Sequence, residues 1–289
     1  MNKPLKGHTV LMSGGTRGTG LAIARAIARQ GANIALLADA HDGMHSSGTG
    51  AVDPATGVDT AAAVVEAAGG QALALVCDVR DADRLGEAVD VTVDRFGGID
   101  IVITDADVID GPDTEQARLS FELRQQIQLR GAYLKIRAAI PHLRKSRNPH
   151  ILSLSPPLSP AGKRVGDRSP SKLAEYGMTL LTLGFASELR EDGIGVNCLW
   201  PHTAGAAAPR TRSGEEEAAG PAIMAAAVGL VLSSRAATTT GNTYLDVEVL
   251  AEYGITDLSR YTREADPSFE VAWPPSDFTR QGAQRFSAE

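Results

Sequence analysis

Apolar positions along the chain fall into a repeating order, a short continuous run followed by a longer stretch with helical spacing. His8 to Met12 is the first such run, and a glycine-rich turn, Ser13 to Gly20, follows it. Leu21 to Gln30 then carries Ile23 and Ile27 at helical spacing among small alanines, and Gly31 is a natural helix stop. Asn33 to Ala38 reads as a second buried strand, and a Gly, Ser, His and Asp-rich loop runs from Asp39 to about Asp59. That loop is long for a strand-to-helix connection and marks either a functional insertion or a mobile segment. The rhythm repeats with helix Thr60 to Ala68, strand Ala72 to Cys77, helix Ala82 to Phe96 and strand Ile99 to Thr104. One long helix is expected around Glu115 to Ser146, then strand His150 to Ser155, helix Ser171 to Glu191 and strand Gly195 to Leu199. A helix from about Glu216 to Ser233 and a last strand near Thr243 to Asp246 complete the order.

Alternating strands and helices whose strands are apolar throughout require a parallel sheet with helices on both faces. The expected fold class is therefore α/β, a Rossmann-type doubly wound parallel sheet in a single domain. The domain spans 1–246, and residues 247–289, with Pro267, Pro274 and Pro275, form a C-terminal tail laid over it.

Composition narrows the function classes. The chain has 289 residues, with 28 Lys and Arg against 35 Asp and Glu, a net charge of −7. No basic cluster stands out, which argues against a nucleic-acid partner. Cys77 and Cys198 each lie in apolar stretches without metal-ligand spacing, so neither a metal nor a disulfide framework is expected. No run of about 18 apolar residues occurs, so no membrane span is expected. The N-terminus enters the first strand without a leader-like segment, and a cytoplasmic protein with two reduced core thiols is the expectation.

The informative turn is Ser13-Gly14-Gly15-Thr16-Arg17-Gly18-Thr19-Gly20, between the first strand and the first helix. Glycines allow a tight turn and let backbone approach a pyrophosphate, while the helix N-terminus offers unpaired N–H donors and positive potential. Ser13, Gly14, Thr16, Arg17, Gly18 and Gly20 are thus candidates for dinucleotide contact; the competing reading is a turn kept for helix–sheet packing alone. Asp39, at the end of the second strand, would repel a 2′-phosphate and could accept from a ribose diol, favouring NAD over NADP. Its plainer reading is the first residue of a loop.

The G-x-x-x-G-x-G spacing resembles the short-chain dehydrogenases/reductases, and other segments agree along nearly the whole chain. Cys77-Asp78-Val79 resembles the family's Asp-Val pair, which implies that Asp78 and Val79 hold the adenine. Phe96-Gly97-Gly98-Ile99-Asp100-Ile101-Val102-Ile103 resembles the lead-in to the family's Asn-Asn-Ala-Gly turn, here Thr104-Asp105-Ala106 followed by Asp107, which places Ala106 against the cofactor. Ala67-Ala68-Gly69-Gly70, Arg130-Gly131-Ala132-Tyr133-Leu134, Asn148 to Pro157, Tyr176-Gly177-Met178, Asn197 to Pro201 and Gly254-Ile255 look like a narrower branch, the hydroxysteroid dehydrogenase-like 2 group. Animal members of that group carry an additional sterol-carrier domain, which is not expected within these 289 residues. Pro201 and Thr203 fall where the family's cofactor-touching loop starts.

The resemblance breaks at the catalytic residues. The family tetrad is Asn, Ser, Tyr and Lys: Tyr gives a proton as hydride arrives, Lys lowers the Tyr pKa, Ser polarises the carbonyl and Asn orders a water relay. Ser155 matches the serine. Anchoring on Tyr176-Gly177-Met178 puts Glu175 in the lysine place and Ser171 in the tyrosine place, with Gln128 for the asparagine. The tyrosines at 133, 176, 244, 253 and 261 have no Lys four residues later. An aliphatic hydroxyl is a far weaker acid than a phenol of pKa about 10, and Glu175 reverses the charge that stood there. Ordinary carbonyl reduction should be impaired, since losing a positioned general acid costs roughly 10²–10⁴ in rate.

Three functions compete. The first is a repurposed enzyme doing cyclisation, isomerisation or elimination on a small organic substrate, with Ser155, Glu175, Asp105, Asp107 and His202 as new acid–base groups. The second is an NAD(P)-dependent oxidoreductase with a different proton donor. The third is a non-catalytic partner of an active paralogue. The family's habit implies a homo-oligomer, dimer or tetramer, through its long helices.

Overall fold

The computed structural model describes residues 3–39, 57–104, 121–155, 169–201, 219–258 and 261. Strands β1 (Thr9–Ser13), β2 (Asn33–Ala38), β3 (Gln71–Val76), β4 (Ile101–Thr104), β5 (His150–Leu154), β6 (Gly195–Trp200) and β7 (Thr243–Leu245) form one sheet. Its order is β3-β2-β1-β4-β5-β6-β7, and the pairings are parallel. The order reverses between β1 and β4, whose carboxyl ends meet at Ser13 and Thr104. In open α/β sheets ligands bind in the crevice outside that reversal.

Alternation along each strand divides the core in two. Val10 and Met12 of β1 face one side with Ile34, Leu36, Ile101 and Ile103; helices α1 (Gly18–Arg29), α2 (Val58–Ala67) and α6 (Ala219–Ser233) cover that side. Leu11, Ala35, Leu37, Val102, Ile151 and Val196 face the other, under α3 (Ala82–Phe96), α4 (Ala132–Leu143) and α5 (Ser169–Glu188). Each such Leu, Ile or Val, removed from water, contributes roughly 1.5–3 kcal/mol. Two covered faces are the reason the strands read as continuous apolar runs.

Three local readings change. The long helix expected from Glu115 to Ser146 is interrupted: Gln125–Gly131 is wound as a π-helix before α4 begins. Periodicity gives no warning of an extra residue per turn, and such stretches gather at functional sites. The segment after residue 246 is not purely extended tail, because Asp246–Glu252 forms helix α7 and buries Val249 and Leu250. The first helix starts at Gly18, not Leu21, so Gly18 and Gly20 lie in its first turn. The loop from 40 to 56 lies outside the described residues, as do Asp105, Ala106, Asp107, His202 and Thr203.

Candidate functional site

The glycine turn sits at the carboxyl end of β1, beside the strand-order reversal. Gly14 and Gly18 adopt φ of 76° and 51°, which side chains rarely allow. A Cβ on Gly15 would stand 2.6 Å from Leu36 Cδ2, so that glycine keeps the turn close to β2. The α1 N-cap is Arg17, extended at φ −156° and ψ 169°, with no side-chain cap hydrogen bond. Leu21 N–H donates to the Arg17 carbonyl at 3.0 Å, while the N–H groups before it have no place in the helix ladder. Such an uncapped terminus at a sheet crevice suits an anion. Thr16, within the turn, is 2% exposed.

The ends of β2 and β3 carry a charged cluster. Arg80 Nε donates to both Asp78 carboxylate oxygens at 2.8 Å, and its terminal nitrogen donates to Oδ2 at 2.5 Å. The same guanidinium stands 4.0 Å from Asp39. Side-chain hydrogen bonding from Arg80 holds the Asp78 carboxyl below its usual range, against the opposing effect of partial burial. Arg130, from the π-helix, donates to the Arg80 carbonyl at 2.5 Å. Gly131 lets the π-helix lie on Val79: a Cβ there would meet Val79 Cγ2 at 2.8 Å. The acid expected to hold adenine is therefore already engaged by an arginine that sequence reasoning left out.

Sequence reasoning also missed Lys135. It is 1% exposed, and its Nζ donates to Ser13 Oγ at 2.5 Å and to the Ile103 carbonyl at 2.8 Å. The signal was present: Ala132, Ile136, Ala139, Ile140 and Leu143 form the buried stripe of α4, and Lys135 occupies the same stripe.

Ser155 follows β5, is 4% exposed, and donates its hydroxyl hydrogen to the Glu175 carbonyl at 3.0 Å. Its N–H donates to the Leu199 carbonyl at 3.2 Å, anchoring it to β6. Beside it, Thr182 Oγ1 donates to the Met178 carbonyl at 2.8 Å and accepts from Ser153 Oγ at 2.8 Å, and Thr104 meets Met178 Sδ at 3.9 Å. These contacts seat α5 on the ends of β4 and β5, bringing Ser155 and Glu175 together. Ser171 lies one turn earlier in α5, and its side chain is outside the described set. Gln128 lies in the π-helix; its Oε1 is buried and has no hydrogen-bond partner among the described residues. Pro201, half-buried, follows the end of β6. Burial pushes the Cys77 thiol up to about 11 and Cys198 to about 12, so neither is a nucleophile at neutral pH.

An open groove of about 930 Å³ lies between the π-helix with α4 and α5, lined by Leu129, Tyr133, Gly177, Leu180, Gly184 and Phe185 among others. No helix among the described residues is long and apolar enough to cross a membrane.

Comparison with known proteins agrees with this architecture. The family described as short chain dehydrogenase matches residues 8–216. A curated relative, hydroxysteroid dehydrogenase-like protein 2 of Danio rerio, is 37% identical over 285 residues, covering 96% of this chain and 66% of its own. Among solved structures, a short chain dehydrogenase of Mycobacterium thermoresistibile is 41% identical with a TM-score of 0.79, covering 94% of this chain and 98% of its own. A dehydrogenase of Xanthomonas campestris, described as putative, is 42% identical with a TM-score of 0.75, covering 89% and 93%. With its parallel sheet and a glycine turn at the carboxyl end of β1, the chain belongs to the short-chain dehydrogenase family, and it spans less than two thirds of the length of the curated hydroxysteroid dehydrogenase-like 2 proteins it resembles.

Proposed function

We propose that the chain binds a nicotinamide dinucleotide and uses the adjoining cleft for proton-transfer chemistry, namely cyclisation, isomerisation or elimination of a small organic substrate, and not for ordinary carbonyl reduction. The residues present suit the dinucleotide at its pyrophosphate: Gly14, Gly18 and Gly20 supply close backbone, and the uncapped α1 terminus supplies donors. The carboxylate of Asp39 at the end of β2 favours a ribose diol and hence NAD over NADP; Asp78 and Val79 would meet the adenine end. Bound there, the nicotinamide would be able to give or take hydride.

The observation that carries the chemical part is the bond from Ser155 to the Glu175 carbonyl. A hydroxyl has one hydrogen. While it is donated to Glu175, it is not available to polarise a substrate carbonyl. The same bond supports the register in which Glu175 and Ser171 stand where the family has Lys and Tyr. Ser171 and Glu175 are four apart, so one helical face presents both. A carboxylate there disfavours an alkoxide nearby and suits a base that removes a proton from carbon or oxygen.

The groove favours a homo-oligomer. Leu173, Gly177, Leu180 and Gly184 recur at four- and three-residue spacing along α5, and Leu173 and Leu180 are 56% and 68% exposed. A stripe of that period packs well on its own copy across a two-fold axis. A cytoplasmic setting belongs to the same reading and is supported by two buried free thiols.

Restoring the family dyad tests the proposal. Ser171→Tyr with Glu175→Lys should raise NADH-dependent reduction of a generic ketone or aldehyde by at least ~10²-fold. Ser171→Tyr alone should gain less, because a phenol beside Glu175 has its pKa pushed up. A wild-type protein that already reduces carbonyls at an ordinary enzymatic rate contradicts the proposal.

A further inference from the structure

Lys135 does no work in the reaction outlined above, yet its placement is costly. An ammonium taken from water into a protein interior loses several kcal/mol of hydration unless it is well satisfied. The other members of its stripe on α4 are apolar, and Leu or Met would fill the position without that loss. A lysine held there answers to something at the end of its side chain.

That end is the strand-order reversal. The Nζ donates to Ser13 Oγ on β1 at 2.5 Å and to the Ile103 carbonyl on β4 at 2.8 Å, bridging the two strands between which the crevice opens. Ser13 is the last residue of β1, and Gly14 begins the glycine turn. Because an ammonium only donates, Ser13 Oγ must accept, and its own hydrogen points away from Nζ. From the opposite face of the sheet, α1 aims its uncapped N-terminus at the same turn. A full positive charge beneath the turn and a helix dipole behind it are fixed sources of one sign converging on one short segment. Preorganised charge of this kind needs no rearrangement when an anion arrives.

We propose that Lys135 is a positioning residue for dinucleotide binding: its buried ammonium supplies, from beneath the β1–β4 junction, the positive potential that draws the pyrophosphate onto the Ser13–Gly18 turn. The inference rests on the dinucleotide reading given above. It assigns Lys135 no contact with the ligand; the charge acts through Ser13 and across the interior, where screening by salt is weak.

The test uses the full chain as wild type, Lys135→Met and Lys135→Arg, with calorimetric titration of NADH and ADP-ribose, NMR titration of adenosine, and thermal unfolding of each protein. Lys135→Met should bind NADH and ADP-ribose about tenfold more weakly, the scale on which a unit charge acts through a protein interior. Its affinity for adenosine, which has no pyrophosphate, should stay within twofold, and its Tm should not fall. Lys135→Arg, which keeps the charge, should recover most of the lost affinity. Should Lys135→Met fail to fold, Lys135→Gln, a neutral donor toward Ser13 and Ile103, gives the same comparison. Equal ADP-ribose affinity in Lys135→Met and wild type overturns the inference, and so does an equal loss for adenosine, which marks a merely structural lysine. Wild-type protein that binds neither NADH nor ADP-ribose at millimolar concentration overturns the dinucleotide reading itself, and this inference with it.

Discussion

Acid should destabilise the protein through His150, the first residue of β5. The ring is fully buried, with Nε2 3.2 Å from the Ser234 carbonyl and 3.3 Å from Asn148 Nδ2. Its Nδ1 has no hydrogen-bond partner among the described residues, so a proton arriving there finds no acceptor. Burial first, and then the charge of His8, lower its pKa from 6.5 to about 4. The unfolded chain takes up a proton near pH 6.5 that the folded one refuses until about pH 4, so the unfolded state binds more protons throughout that window. Stability is therefore complete above pH 6.5 and falls as the pH drops toward 4. The slope is about 1.4 kcal/mol per pH unit, and the full shift amounts to about 3 kcal/mol. Against a total of roughly 5–15 kcal/mol for a folded domain, that is a large fraction. Urea unfolding of wild type and His150→Gln at half-unit steps from pH 7.5 to 4.5 isolates the effect, because every other titrating group is common to both. The wild-type curve should fall more steeply below pH 6.5, with the two converging by about 1.4 kcal/mol per unit. Parallel curves refute the reasoning.

Two further outcomes follow from packing. Gly131→Ala places a methyl 2.8 Å from Val79 Cγ2 and should cost about 1–3 kcal/mol, read as a fall in Tm, with weaker NADH binding as the Val79 segment shifts. Leu180→Glu puts a charge on the exposed α5 stripe and should convert an oligomer to monomer in analytical ultracentrifugation without lowering Tm of the monomer; an unchanged mass excludes that face as the interface.

Much of the fold was legible because its signals are local. Helix α3 was read over Ala82–Phe96 and forms over those residues, capped by Asp81, which accepts from Asp83 and Arg84 N–H at 3.0 and 3.1 Å. Strand β2 likewise forms over Asn33–Ala38, since both of its faces are covered. The π-helix at Gln125–Gly131 was not legible, because its cause is tertiary: Gly131 packs on Val79 and Arg130 reaches the Arg80 carbonyl. Nor was α7, since seven residues around Val249 and Leu250 hold helix chiefly by burying those two side chains. At the site, the glycine turn could be anticipated by spacing and resemblance. Arg80 could not be weighted that way, because its importance lies in where its side chain ends, on Asp78; the place of Lys135 in an apolar stripe marks it as buried, but not that its ammonium ends on Ser13.

The most direct test of the central claim is titration of the purified wild-type protein with NADH and NADPH, with binding by calorimetry and oxidation at 340 nm followed in parallel against a panel of aldehydes and ketones. The account predicts saturable binding, tighter for NADH than for NADPH, with little or no oxidation above the uncatalysed background. Absence of binding of either dinucleotide at millimolar concentration, or binding accompanied by turnover at an ordinary enzymatic rate of about 1–10³ per second, would contradict it.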